Sequence, residues 1–217
     1  MFSGASIQDL ILMIPAILIA FTFHEFAHAI TADRLGDKTP RFQGRLTLNP
    51  ISHIDPMGFI LILLVGFGWA KPVQTNPSAY KNYYKDDLKV SLAGPMANLI
   101  LGFVFAILAM LFFKFSPIQG ALNGVIIKIL ALTGSINCLL FFLNLVPVPG
   151  FDGFHILRDL FPKFFYNISD SITRYQFLIF IALILPILPG GNSVFSLIVG
   201  VPASNLFSFF ISIAEMI

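Results

Sequence analysis

Phe21–Ile30 reads FTFHEFAHAI and contains His24-Glu25-Phe26-Ala27-His28, an H-E-x-x-H pattern. On a helix, side chains four residues apart share a face, so both imidazoles can reach one metal ion. Glu25, beside the first histidine, is placed to handle the proton of an attacking water. Two histidines with a carboxylate acid/base form a hydrolytic zinc arrangement, so zinc is the metal expected. The residues leading into the motif, Ile7 to Phe23, are almost all apolar. Ionisable groups at membrane depth cost roughly 2.5–3.5 kcal/mol each on insertion scales and mark function. The pattern therefore predicts a metal centre inside a membrane, still lacking a third protein ligand and an open position for water.

Composition supports that setting. Of 217 residues 57% are hydrophobic and only 11% charged, against about 25% charged in ordinary globular domains. The expectation is an all-α polytopic membrane protein, residues 1–217 forming one membrane-embedded domain. Cys138 is the sole cysteine, which excludes an internal disulfide and a cysteine-based zinc site. Met1 to Gln8 holds no Lys or Arg, so the first apolar segment reads as a retained span and not a cleaved signal.

About five spans are expected: Ile7–Leu35, Leu88–Phe115, Ala121–Val146, Thr173–Leu188 and Val194–Ile213. Met57–Trp69 is apolar but too short to cross, since a span needs roughly 20 residues; it reads as re-entrant. Arg41–Leu48 is expected to form a small membrane-associated β element, and Phe154–Phe165 an interfacial amphipathic stretch. Arg34, Lys38, Arg41 and Arg45 precede the re-entrant segment, Lys71, Lys81, Lys85 and Lys89 follow it, and Arg158, Lys163 and Arg174 lie after the third span. The opposite turns, 116–120 and 186–193, hold no Lys or Arg. The positive-inside rule then puts the N-terminus outside and the motif end of the first span at the cytoplasmic face.

That topology brings one further carboxylate to the depth of the histidines. Asp152 follows a broken helix end, Asn144-Leu145-Val146-Pro147-Val148-Pro149-Gly150-Phe151-Asp152-Gly153, and is the best candidate for the third ligand, with His53 and His155 as alternatives. Asn144 can donate to a substrate carbonyl or oxyanion; the alternative is a helix–helix hydrogen bond. Asn98, after Gly94-Pro95, reads as structural. His53 and Asp55 sit in the loop before the re-entrant segment, His53 as a helper at the metal or as an ordinary polar loop residue.

HEFAHA, SLAGPMAN at Ser91–Asn98 and NLVPVPGFDGFHIL at Asn144–Leu157 together resemble the motifs of the site-2 protease family of intramembrane zinc metalloproteases. LNPISHIDPMG and GWAKPVQTNP resemble segments of its compact prokaryotic members, without PDZ or CBS domain. The resemblance spans roughly residues 20–157. It implies one zinc ion per chain held by His24, His28 and Asp152, with Glu25 as catalytic acid/base. It implies proteolysis of membrane-spanning protein substrates within or near the bilayer of the prokaryotic plasma membrane. Partners are then such substrates, the lipid bilayer and a regulatory membrane protein, with no nucleic acid. The competing reading is a zinc-binding membrane protein without proteolysis, a transporter or pseudoprotease. A transporter would more naturally carry ionisable groups across several spans, and none are visible here.

Overall fold

The computed structural model describes residues 7–65 and 68–217. The protein is mostly helical. Its first helix, α1 (Ile7–Leu35), is about 44 Å long at 1.5 Å per residue and buries a stripe running Met13, Ile17, Ala20, His24, His28 and Ala32. This three-to-four spacing is one helix face, so the seam that packs the apolar half of α1 continues directly into both histidines. After Leu35 come the one-turn α2 (Thr39–Phe42) and α3 (Pro56–Val65). The long α4 (Tyr83–Phe115) and α5 (Ala121–Asn144) follow, then the shorter α6 (Asp152–Leu160), α7 (Pro162–Arg174) and α8 (Gln176–Ile184). A π-helical turn, Ser196–Gly200, runs into α9 (Val201–Glu215).

α4 is the hub, packing against α1, α5, α6 and α9. Ala106 of α4, Cys138 of α5 and Ala203 and Phe210 of α9 form one buried cluster. Small side chains there let three helices approach closely, as expected where lipid offers no hydrophobic drive to association. On the other side Met13 and Ile17 of α1 pack with Ile62 of α3. Large apolar side chains such as Ile11, Ile100, Val104 and Leu108 remain exposed and form the lipid-facing surface of a multi-pass membrane protein.

Among the described residues four helical stretches are long and apolar enough to cross a membrane: Ile7–Leu35, Tyr83–Phe115, Ala121–Asn144 and Ser196–Glu215. The expected fourth span, Thr173–Leu188, is divided instead. α7 stops at Arg174, Tyr175 leaves helical geometry, and α8 ends at Ile184 before an extended Leu185 and Pro186. Nine residues of α8 cover only about 14 Å, half of a bilayer core. The predicted interfacial stretch is likewise two helices, parted at Phe161 (φ −133°, ψ 62°), which precedes Pro162 and is driven out of the helical region.

No strand forms among the described residues, and the expected β element at 41–48 is a helical turn followed by bends. The cause lies in the flanking charges. Arg41 donates to both carboxylate oxygens of Asp33, at 2.9 and 2.8 Å, and Asp37 accepts from Thr39 N–H at the start of α2. These bonds fold the segment back on α1 before it can extend. The apolar stretch Met57–Trp69, whose Gly66 and Phe67 lie outside the described residues, begins and ends at one place. Ile54 and Ala70 form an isolated antiparallel bridge, and Lys71 N–H donates to His53 C=O at 3.0 Å. Asp55 serves this segment by accepting from Gly58 N–H at the start of α3.

Candidate metal centre

His24 and His28 leave the buried face of α1, and Asp152 opens α6, just after an extended Phe151 (φ −117°, ψ 155°). His24 Nε2 and His28 Nε2 are 3.1 Å apart; Asp152 Oδ2 lies 3.2 Å from the first and Asp152 Oδ1 3.3 Å from the second. Both histidines are buried. The three side chains are the group of His, Cys, Asp and Glu residues that converges at metal-binding distance among the described residues.

Hydrogen bonding at the far side of each ring decides what these atoms present. His28 Nδ1 lies 2.7 Å from Val90 C=O; a carbonyl only accepts, so Nδ1 carries the proton and Nε2 a lone pair. For His24 the same conclusion comes through a relay. Asn137 Nδ2 donates to Thr133 C=O at 2.8 Å, which turns its Oδ1 toward Asn98. Asn98 Nδ2 donates to that oxygen at 2.8 Å and to Ala20 C=O at 3.2 Å. Asn98 Oδ1 therefore faces His24 Nδ1, at 2.6 Å, as an acceptor. Each relay ends on a backbone carbonyl, so both rings are held as Nδ1–H tautomers.

Two lone pairs and a carboxylate thus face one point. Without a cation such an arrangement is repulsive, and Asp152 Oδ2 is a buried oxygen without a hydrogen-bond partner. Ligand bonds of about 2.0–2.1 Å in a tetrahedral site put neighbouring ligand atoms about 3.3 Å apart, which agrees with the three separations found. The donor set, its spacing and its imidazole-supporting bonds fit zinc. Gly94 of α4 forms the floor: a Cβ there would lie 2.3 Å from His28 Nε2 and 2.7 Å from His24 Nε2, so any larger residue would displace both rings.

Glu25 is buried beside this cluster, and its Oε2 accepts from Val73 N–H at 2.8 Å. The contact brings the loop after the re-entrant segment onto the motif helix. α6 is docked on α4 by Arg158, which bonds Asp87 and, at 2.8 Å, Asp159, and lies 5.6 Å over the Tyr83 ring. Burial pushes the Asp159 carboxyl above its ordinary value, while Arg158 pulls it the other way.

The remaining candidates are not members of this three-residue group. His53 is fully buried with Nε2 against Thr47 C=O at 2.7 Å. His155 is exposed on α6 beside Phe154. Asn144, at the end of α5, donates back to Leu140 C=O at 3.0 Å. Sequence reasoning treated Asn98 as packing and passed over Asn137, although an amide in an apolar span is itself a signal. Replacing Asn98 by alanine should weaken zinc binding about 10- to 100-fold, read by competition with a chelator of known affinity. Unchanged affinity would detach the relay from the metal centre.

The helices and the ligand cluster define a polytopic membrane metalloprotein. A family model described as Peptidase family M50 matches residues 12–124 and 116–187. The chain is 38% identical over 183 residues to the Bacillus subtilis (strain 168) protein named "Putative zinc metalloprotease YwhC", covering 84% of this chain and 83% of that one. Rip2 of Mycolicibacterium smegmatis, described in the same words, is 33% identical over 68% of this chain and 56% of its own length. MJ0611 of Methanocaldococcus jannaschii, again so described, is 31% identical over 72% and 74%. No solved structure gives a significant match. The chain belongs to peptidase family M50, the site-2 protease family of intramembrane zinc metalloproteases.

Proposed function

We propose that residues 1–217 act as one membrane-embedded metalloprotease unit of the H-E-x-x-H type, with His24, His28 and Asp152 holding zinc and Glu25 as acid/base. The observation that carries this reading is the convergence of two imidazole lone pairs and a buried, otherwise unpartnered carboxylate oxygen within 4.8 Å. Zinc, when bound, supplies activation of water and polarisation of the scissile carbonyl. Glu25 receives the water proton on the oxygen that Val73 leaves free and returns it to the leaving amine. Asn144 keeps a second amide hydrogen beyond its bond to Leu140, and we assign it to the developing oxyanion. His53, whose Nε2 is engaged by Thr47 C=O, is assigned an auxiliary task, helping to hold the substrate or the oxyanion.

The substrate is a membrane-spanning protein cut within or near the bilayer, in the prokaryotic plasma membrane, with the N-terminus outside and the site toward the cytoplasm. The distribution of Lys and Arg supports this orientation. A helical substrate shields its own peptide bonds and has to unwind to be cut. Segment 41–48 offers no strand for pairing, whereas residues 71–76, which belong to no helix, pass by Glu25 through Val73. A regulatory membrane partner fits the same reading.

The test is cleavage of a purified single-span protein in proteoliposomes. Chelator treatment should abolish product, and one equivalent of zinc should restore it. Stoichiometric zinc with no cleavage of any membrane-spanning substrate would favour the transporter or pseudoprotease reading.

A further inference from the structure

Arg45 is buried, at 6% exposure, in a loop between α2 and α3. Among the described residues no carboxylate pairs with it. Its guanidinium instead contacts backbone carbonyls: Nη1 donates to Ser52 C=O and, at 3.3 Å, to Lys71 C=O, and Nη2 donates to Pro72 C=O at 3.4 Å. Burying an unpaired cation is expensive, so a fold that keeps one there gives the fork a task. A planar guanidinium with fixed donors can tie two irregular segments, and an ammonium reproduces that geometry only in part.

The last of these carbonyls matters most. Pro72 C=O and Val73 N–H belong to one peptide group. On one side that group accepts from Arg45; on the other it donates to Glu25 Oε2 at 2.8 Å. Cation, peptide dipole and carboxylate lie in series, so each hydrogen bond polarises and strengthens the next. The planarity of the amide fixes both ends together.

We propose that Arg45 is a positioning residue for Glu25, acting through the Pro72–Val73 peptide to hold the carboxylate in the orientation that proton transfer requires. This rests on the assignment of Glu25 as the acid/base. Arg45 touches neither the metal ligands nor the reacting atoms, so its loss disturbs catalysis with zinc still in place. Hydrogen bonds to charged groups of this kind correspond to about 10- to 100-fold in rate.

The experiment uses the zinc-loaded 217-residue protein with a membrane-spanning substrate. Arg45→Met should keep one zinc per chain and lower kcat by about 10- to 100-fold, with KM changed less than about threefold. Amide exchange of segment 71–75, followed by mass spectrometry, should accelerate at least about tenfold while α1 and α4 keep their protection. Arg45→Lys should recover part of kcat. Val73→Pro, which removes the N–H but leaves Arg45 intact, should give a similar loss of kcat, and combining it with Arg45→Met should add little. Wild-type kcat in Arg45→Met, fully additive losses in the double variant, or zinc loss with exchange rising throughout α1 and α4 would each overturn the proposal. Should Arg45→Met fail to fold, Arg45→Lys and Val73→Pro carry the same comparison. Turnover by Glu25→Gln would instead remove the acid/base assignment, an outcome that wild-type kcat in Arg45→Met does not produce.

Discussion

Glu25→Gln should leave a protein that binds one zinc ion per chain and cleaves its substrate about 10²- to 10⁴-fold more slowly. Glutamine has the same shape and still offers an oxygen to Val73 N–H, which Glu25 engages at 2.8 Å, so the loop above the motif stays in place. The amide has no basicity with which to take a proton from water. The metal should remain because the converging atoms come from His24, His28 and Asp152, and Glu25 is not one of that group. Metal analysis of the purified variant, alongside initial rates on a reconstituted membrane substrate, reads both halves of the expectation. Wild-type turnover would overturn the mechanism, and loss of zinc would make Glu25 part of the coordination.

The parts of this molecule that were legible in its sequence are those governed by local spacing. Residues 24 and 28 had to share a helix face, and α1 delivers both from its buried seam. Long uninterrupted apolar runs became α1, α4, α5 and the π-turn with α9. Thr173–Leu188 was apolar enough to be read as a span, yet its helix is broken at Tyr175 and ends at Ile184. A hydropathy reading averages over such breaks, whereas a helix needs each turn to continue. The segment at 41–48 had extended-looking composition, but Asp33 and Asp37, lying before it in the chain, capture Arg41 and Thr39 and fold it. Contacts across 39 to 78 residues were not legible at all. Asn98 reaching Ala20, His24 and Asn137 depends on how α4 is rotated against α1 and α5, and no local period records that rotation.

The loop above the site shows the same division between local and distant information. Gly58 N–H capped by Asp55 follows from an Asp-Pro helix start. The bond from Val73 to Glu25 spans 48 residues and depends on the chain returning beside His53 after the apolar stretch. Arg45, read only as one of several basic residues marking a cytoplasmic loop, is a buried side chain with backbone partners. Charge counting assigns it an expected side of the membrane and nothing of its role.

Asp152→Ala should lose zinc under conditions where wild type keeps it, and with the metal its proteolysis. Two imidazoles on one helix leave a zinc ion under-coordinated, and the side chain that meets both Nε2 atoms is Asp152, at 3.2 and 3.3 Å. The position is tightly built: a Cβ at Gly153 would lie 2.4 Å from Leu145 C=O, so the chain entering α6 presses against the broken end of α5 and carries the carboxylate to the histidines. Arg158, clamped to Asp87 and Asp159, holds the other end of that helix. Alanine at 152 leaves the fold its glycine and its clamp but removes one of the three proposed ligands, and the metal affinity should fall by at least the 10- to 100-fold typical of losing a mere supporting bond. His155→Ala should keep the metal, because that ring is exposed on α6. His53→Ala should also keep it, because its Nε2 is bonded to Thr47. Zinc content after dialysis against a weak chelator, measured on the three variants side by side, separates the possibilities. Full occupancy in Asp152→Ala together with loss in either histidine variant would transfer the third ligand to that histidine.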